Sequence, residues 1–108
     1  MRSLMTAAIL ATACVSTAVG AADVGSGKTK AATACAVCHG ALGLSALPNA
    51  PSLAGQPEIY LTEQLKNYRS GKRAHEVMSV IAKLLSDQDI DNLAAWYASL
   101  QVEVREPR

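Results

Sequence analysis

The stretch Cys35-Ala36-Val37-Cys38-His39 decides how this chain is read. Two thiols three residues apart share one helical turn, so each can add to one of the two vinyl groups on a single porphyrin edge. The next residue, His39, then turns under the ring and offers an imidazole nitrogen to the iron. The two covalent anchors make that ligation effectively intramolecular, so attachment and coordination reinforce each other. The motif predicts one covalently attached haem, held on Cys35 and Cys38 and ligated by His39.

Three other uses of the same residues fit less well. A disulfide suits an oxidising compartment but leaves His39 unexplained. A thioredoxin-like pair needs a strand leading into it, whereas Ala31-Ala32-Thr33-Ala34 is helix-forming and no strand alternation follows. A structural zinc needs four ligands, and beyond residue 22 the only Cys and His residues are Cys35, Cys38, His39 and His75, with the histidines too far apart for a finger.

Upstream of the motif, Met1-Arg2-Ser3 gives a short positive start, and Leu4 to Val19 is apolar but interrupted by Thr and Ser. Small residues follow at Gly20, Ala21 and Ala22. This pattern predicts that residues 1–22 are a signal peptide, cut after Ala21 or Ala22, and that residues 23–108 form a single-haem domain in the periplasm. An uncleaved anchor is the alternative, since about 20 apolar residues can just span a bilayer. The hydroxyl residues and the cleavage pattern argue against it, so no membrane span is expected in the mature chain. Ala11-Thr12-Ala13-Cys14 loosely resembles a lipidation box, but Leu10 stands one place too early, and Cys14 is expected to leave with the signal.

The 108 residues hold one small domain besides such a segment. Removing residues 1–22 takes away Arg2 and no other charge, so the net charge of +1 falls to zero. That balance predicts no nucleic-acid binding. Tyr60, Tyr68, Trp96 and Tyr97 are the aromatic residues and there is no Phe. A core this thin needs support from a disulfide, a metal or a large prosthetic group.

Apolar positions recur at three and four rather than at two, which predicts an all-α fold of three main helices around the haem. The first is expected over about Lys28 to Val37, with Gly40 ending it. The second starts near Pro57, in a first helical position, carries Leu61, Leu65 and Tyr68 on one stripe and stops at Gly71. The third is capped by Ser86 with Asp89 three residues on, and turns Ile90, Leu93, Ala94, Tyr97 and Leu100 to one side. It should cross the first helix. Loops are expected over Gly40–Gln56 and Lys72–Leu85, and the last eight residues read as a polar tail.

On the other face of the iron the downstream donors are His75 and Met78. Met78 is the one methionine left after export, and a distal thioether favours ferrous iron, as suits an electron carrier. It is the expected ligand. His75 is the alternative, giving a lower-potential bis-histidine site, and an iron left open on that face is a third arrangement.

Cys35-Ala36-Val37-Cys38-His39-Gly40, Pro51-Ser52-Leu53-Ala54-Gly55-Gln56, Tyr68-Arg69-Ser70-Gly71-Lys72-Arg73, Met78-Ser79 and Leu93-Ala94-Ala95-Trp96-Tyr97 together resemble the class I c-type cytochromes. The likeness is to their small bacterial branch, which includes cytochromes c-553 and each half of cytochrome c4. It covers about residues 28 to 100. By this resemblance Pro51 is the proline whose carbonyl accepts a hydrogen bond from the proximal histidine, and Met78 is the distal ligand. Trp96 and Tyr97 fall where the last helix packs on the first, against Gly27 or Ala31. The cofactor is haem c, one per chain, because no second Cys-x-x-Cys-His occurs.

The resemblance implies a periplasmic electron carrier, not an enzyme, working as a monomer that docks transiently on redox partner proteins. The alternative is a haem subunit of a periplasmic dehydrogenase complex. An oxygen- or peroxide-handling enzyme or a ligand sensor would need the iron open, with Met78 away from it. Lys66, Arg69, Lys72 and Arg73 gather at the end of the second helix, and Asp87, Asp89 and Asp91 at the start of the third, as helix dipoles favour. The basic group is also an acceptable docking rim for an acidic partner. Leu42, Leu44 and Leu47 form either an apolar border to the attachment edge or pocket wall.

Overall fold

A computed structural model describes residues 8–16 and 20–108. The positive start at Met1-Arg2-Ser3 and the end of the apolar stretch at Val19 lie outside the described residues. Among those described there are five helices and no strand: α1 Val24–Ala34, α2 Ala36–His39, α3 Glu58–Ser70, α4 Met78–Lys83 and α5 Asp87–Ser99. No helix among them is long and apolar enough to cross a membrane.

Helix α1 starts four residues before the expected Lys28. Asp23 caps it, its carboxylate accepting the Ser26 N–H at 2.6 Å. The Asp23 N–H in turn donates to Asn92 Oδ1 at 2.8 Å, and Gln88 Nε2 holds that same oxygen at 2.8 Å. Gly25 and Gly27 lower the intrinsic helix propensity of this start, yet packing on α5 overrides the deficit. A Cβ on Gly27 would lie 2.0 Å from the Asn92 carbonyl oxygen and 2.9 Å from Trp96 Cβ. Gly27, and not Ala31, therefore makes the closest approach of the two helices, while Ala31 lies in the core one turn on. Lys28 closes the crossing from outside, its Nζ 5.5 Å from the Trp96 ring centre.

Helix α1 also ends early. Cys35, at φ −123° and ψ −33°, leaves helical geometry, so the expected single helix to Val37 is two helices with the first attachment cysteine at the break. Gly40, at φ 84°, ends the second of them, as its sequence position indicated.

Pro57 precedes α3 as its cap residue rather than as its first helical residue, and left-handed Gly71 closes it. Leu61 is buried and Leu65 packs on the core beside it, while Tyr68 lies under the Arg73 guanidinium at 4.7 Å. Arg69 ties this helix to the next turn, donating to the Leu85 carbonyl at 3.1 Å and to the Asp87 carboxylate.

The segment Lys72–Leu85, read as a loop, contains α4. Six residues are too few for periodicity to reveal, and neither Ser, Thr, Asp nor Asn stands directly before it as a cap. Helix α5 carries the full capping box: Asp89 N–H donates to Ser86 Oγ and Ser86 N–H to Asp89 Oδ2, both at 3.0 Å.

The core gathers Ala31, Leu61, Leu85, Ile90, Leu93, Ala94, Trp96 and Tyr97, with α5 packing on α1 at one side and α3 at the other. Ile90 and Leu93 are the large side chains fully shut from solvent. At about 1.5–3 kcal/mol for each such side chain, this is a small apolar centre. Val37, Leu42, Leu44, Ile59, Val77, Val80 and Leu84 stay exposed around it.

Candidate haem-attachment site

The break at Cys35 gives the motif its shape. The Cys38 and His39 N–H groups both point to the Cys35 carbonyl, at 3.3 and 2.9 Å, so the three residues form one tight turn. Cys35 and Cys38 are half-buried and their thiols are free; no disulfide joins them. Burial pushes the Cys35 thiol above its ordinary value of 9.0, and the charge of Lys30 pulls the other way.

Tyr97 answers from α5. Its hydroxyl is buried without a hydrogen-bond partner, as is Trp96 Nε1. Burial drives the Tyr97 pKa far above its ordinary value, and Cys35 beside it adds to the shift.

His39 is almost wholly buried, 7% exposed. Its Nδ1 lies 2.7 Å from the Pro51 carbonyl oxygen. A carbonyl oxygen only accepts, so Nδ1 carries the proton and Nε2 is left with a bare lone pair. Two features hold that arrangement. Gly40 turns the chain sharply after His39, where a Cβ would fall 1.7 Å from the Leu44 carbonyl oxygen. The Ala46 N–H then reaches back to the Cys38 carbonyl at 3.2 Å, and Leu53 and Ala54 donate to the Gly43 carbonyl at 2.7 and 3.0 Å, which brings Pro51 round to the ring.

Cys35, Cys38, His39 and Pro51 thus come together on α2 and the loop after it. Met78 comes from elsewhere, as the half-buried first residue of α4, which packs on α3. His75 is exposed three residues before it, and its Nδ1 accepts the Val77 and Met78 N–H groups at 3.2 and 3.3 Å. A nitrogen that accepts carries no proton, so a neutral His75 holds its proton on Nε2 and has no lone pair left for a metal. The two histidines therefore show opposite tautomers. Of the two histidines, His39 is the one with a bare Nε2, and the capping role of His75 leaves no trace in its sequence spacing.

The donor set suits a porphyrin iron. It offers two free thiols one turn apart, a buried imidazole with its far nitrogen bare, and a domain whose exposed Leu42 and Leu44 follow directly after the motif.

Residues 24–101 match the family model described as Cytochrome c. Cytochrome c4 of Pseudomonas aeruginosa is 40% identical over 104 residues, 96% of this chain and 51% of its own length. The thiosulfate dehydrogenase electron acceptor of Stutzerimonas stutzeri strain A1501 is 45% identical over 71 residues, 64% of this chain and 32% of that protein. Among solved structures, Acidithiobacillus ferrooxidans cytochrome c4 aligns with a TM-score of 0.70 at 32% identity, over 79% of this chain and 54% of that one. This chain spans about half the length of the cytochrome c4 relatives it matches. The free thiol pair and bare imidazole thus sit in a sequence and a fold of one kind, and the chain belongs to the cytochrome c family, class I, which holds haem c through covalent attachment.

Proposed function

We propose that this chain is an exported carrier of single electrons, with Cys35 and Cys38 holding the haem, His39 and Met78 as its axial ligands, and no substrate turned over at the iron. The observation that carries the reading is the His39 tautomer: Nδ1–H is spent on the Pro51 carbonyl at 2.7 Å, so the Nε2 lone pair would be free to hold an iron. When bound, haem iron supplies one-electron redox chemistry.

The chain's residues do the rest. The Pro51 carbonyl fixes the ring of His39 and makes it a better donor. The Met78 thioether favours ferrous iron and raises the potential. With His39 and Met78 both committed to such a group, no position on it would be left for a substrate, and partners would dock briefly over less than about 1,200 Å². Residues 1–22 act as the export signal, which places the domain in the periplasm, and the domain works as a monomer.

A second reading has a specific support. One relative bears the name of a thiosulfate dehydrogenase electron acceptor, which favours work beside or within a periplasmic dehydrogenase complex. Co-purification with an oxidoreductase at fixed stoichiometry supports that arrangement, and isolation as a lone, freely reducible protein supports the carrier.

The axial ligands are tested by visible spectra of the exported protein, oxidised and reduced. Ferric iron bound to thioether sulfur has a weak long-wavelength band. The expected result is that band in the native protein and its loss in Met78→Ala. Haem without the band in the native protein rules out Met78, and a chain isolated without haem overturns the whole reading.

A further inference from the structure

His75 has no part in the chemistry assigned above, yet its side chain and backbone are both engaged. Nδ1 accepts the N–H groups of Val77 and Met78. Its own N–H donates to Ser79 Oγ at 3.0 Å, and the Ser79 N–H returns to the His75 carbonyl at 3.0 Å. The pattern parallels the exchange between Ser86 and Asp89, with an imidazole doing the work of a hydroxyl. The first N–H groups of a helix lack partners within it, and Val77, in the cap position of α4, has no polar side-chain atom to offer.

We propose that His75 is a positioning residue for Met78, a role that rests on the reading of Met78 as the distal ligand. A methionine side chain turns about three bonds and has little shape of its own. The place at which its sulfur is presented therefore depends on how firmly its backbone is held. The imidazole holds the Met78 amide directly, at the start of a helix of six residues that has little cooperative strength. The same bond keeps the proton of a neutral His75 on Nε2, so in this conformation the residue supports the thioether and does not compete with it.

The test compares native holoprotein with His75→Ala and His75→Asn. Added imidazole competes with Met78 for ferric iron, and its apparent affinity is followed by loss of the long-wavelength band. Amide exchange at Val77 and Met78 is measured on the same samples. In His75→Ala the apparent imidazole affinity is expected to rise about fivefold, as loss of one helix cap implies, and both amides to exchange faster. In His75→Asn the amide oxygen accepts in place of Nδ1, and both readings return toward native. An alanine variant indistinguishable from native in both measurements overturns the proposal. So does loss of the native spectrum in both His75 variants but not in Met78→Ala, which makes His75 the ligand itself. Failure of the Met78 assignment alone is visible separately, in the spectrum of Met78→Ala.

Discussion

At most exposed helix positions Gly→Ala stabilises by up to about 1 kcal/mol, because alanine loses less backbone freedom on folding. Gly27 reverses that sign. The atom a new Cβ would strike is the Asn92 carbonyl oxygen, part of the α5 backbone, and at 2.0 Å it cannot be cleared by a rotamer change. Gly27→Ala is expected to destabilise the holoprotein by about 1–3 kcal/mol, read as a lower Tm, and an unchanged or raised Tm contradicts the crossing described here. The sequence had narrowed this contact to Gly27 or Ala31. It went no further because both residues face α5, and only the separation of the two backbones tells a residue that must be small from one that simply is. The two histidines divide in the same way. The place of His39 in its motif was legible from five consecutive residues, whereas the role of His75 depends on which ring nitrogen meets two backbone amides.

Helix α5 was readable almost residue by residue, since Ser86, Asp89 and the stripe from Ile90 to Tyr97 carry both its start and its buried face in local sequence. Helix α4 was not, being short and capped from outside the usual set of residues. The start of α1 was missed because its glycines speak against a helix that only α5 makes stable. The capping box of α5 also brings a pH dependence. The Asp89 carboxylate is held below its ordinary value of 3.8, chiefly by the Ser86 N–H, with Lys30 at 3.4 Å assisting. A carboxylate whose folded value is lowered contributes stability that is complete above its unfolded value and is lost as pH falls through the folded one. Thermal melts of native protein and Asp89→Asn are therefore expected to differ near neutrality, native being higher, and to converge as the pH is taken well below the ordinary value of 3.8. A constant gap across that range shows that Asp89 acts by something other than its charge.

Over the whole domain, the apolar centre is small. Small domains bury a low share of their surface and have little stability to spare, and among the described residues Ile90 and Leu93 are the large side chains that are fully buried. The attached haem is expected to provide the missing apolar surface. A Cys35→Ala/Cys38→Ala chain, unable to hold the group covalently, should lose its cooperative thermal transition and much of its helical circular dichroism. Retention of a sharp native-like melt without haem shows that the polypeptide alone is sufficient.

The bond between the Asp23 amide and Asn92 spans 69 residues, and the main packing partner of α1 is likewise the last helix of the fold. A chain that crosses a membrane N-terminus first delivers α1 and the attachment cysteines long before α5 arrives. During that interval the motif has neither Tyr97 behind Cys35 nor a closed crossing above it, so it remains open to whatever joins the haem to it. For a chain delivered in that order, the attachment cysteines would be most open before α5 arrives and would become half-buried once it packs on α1.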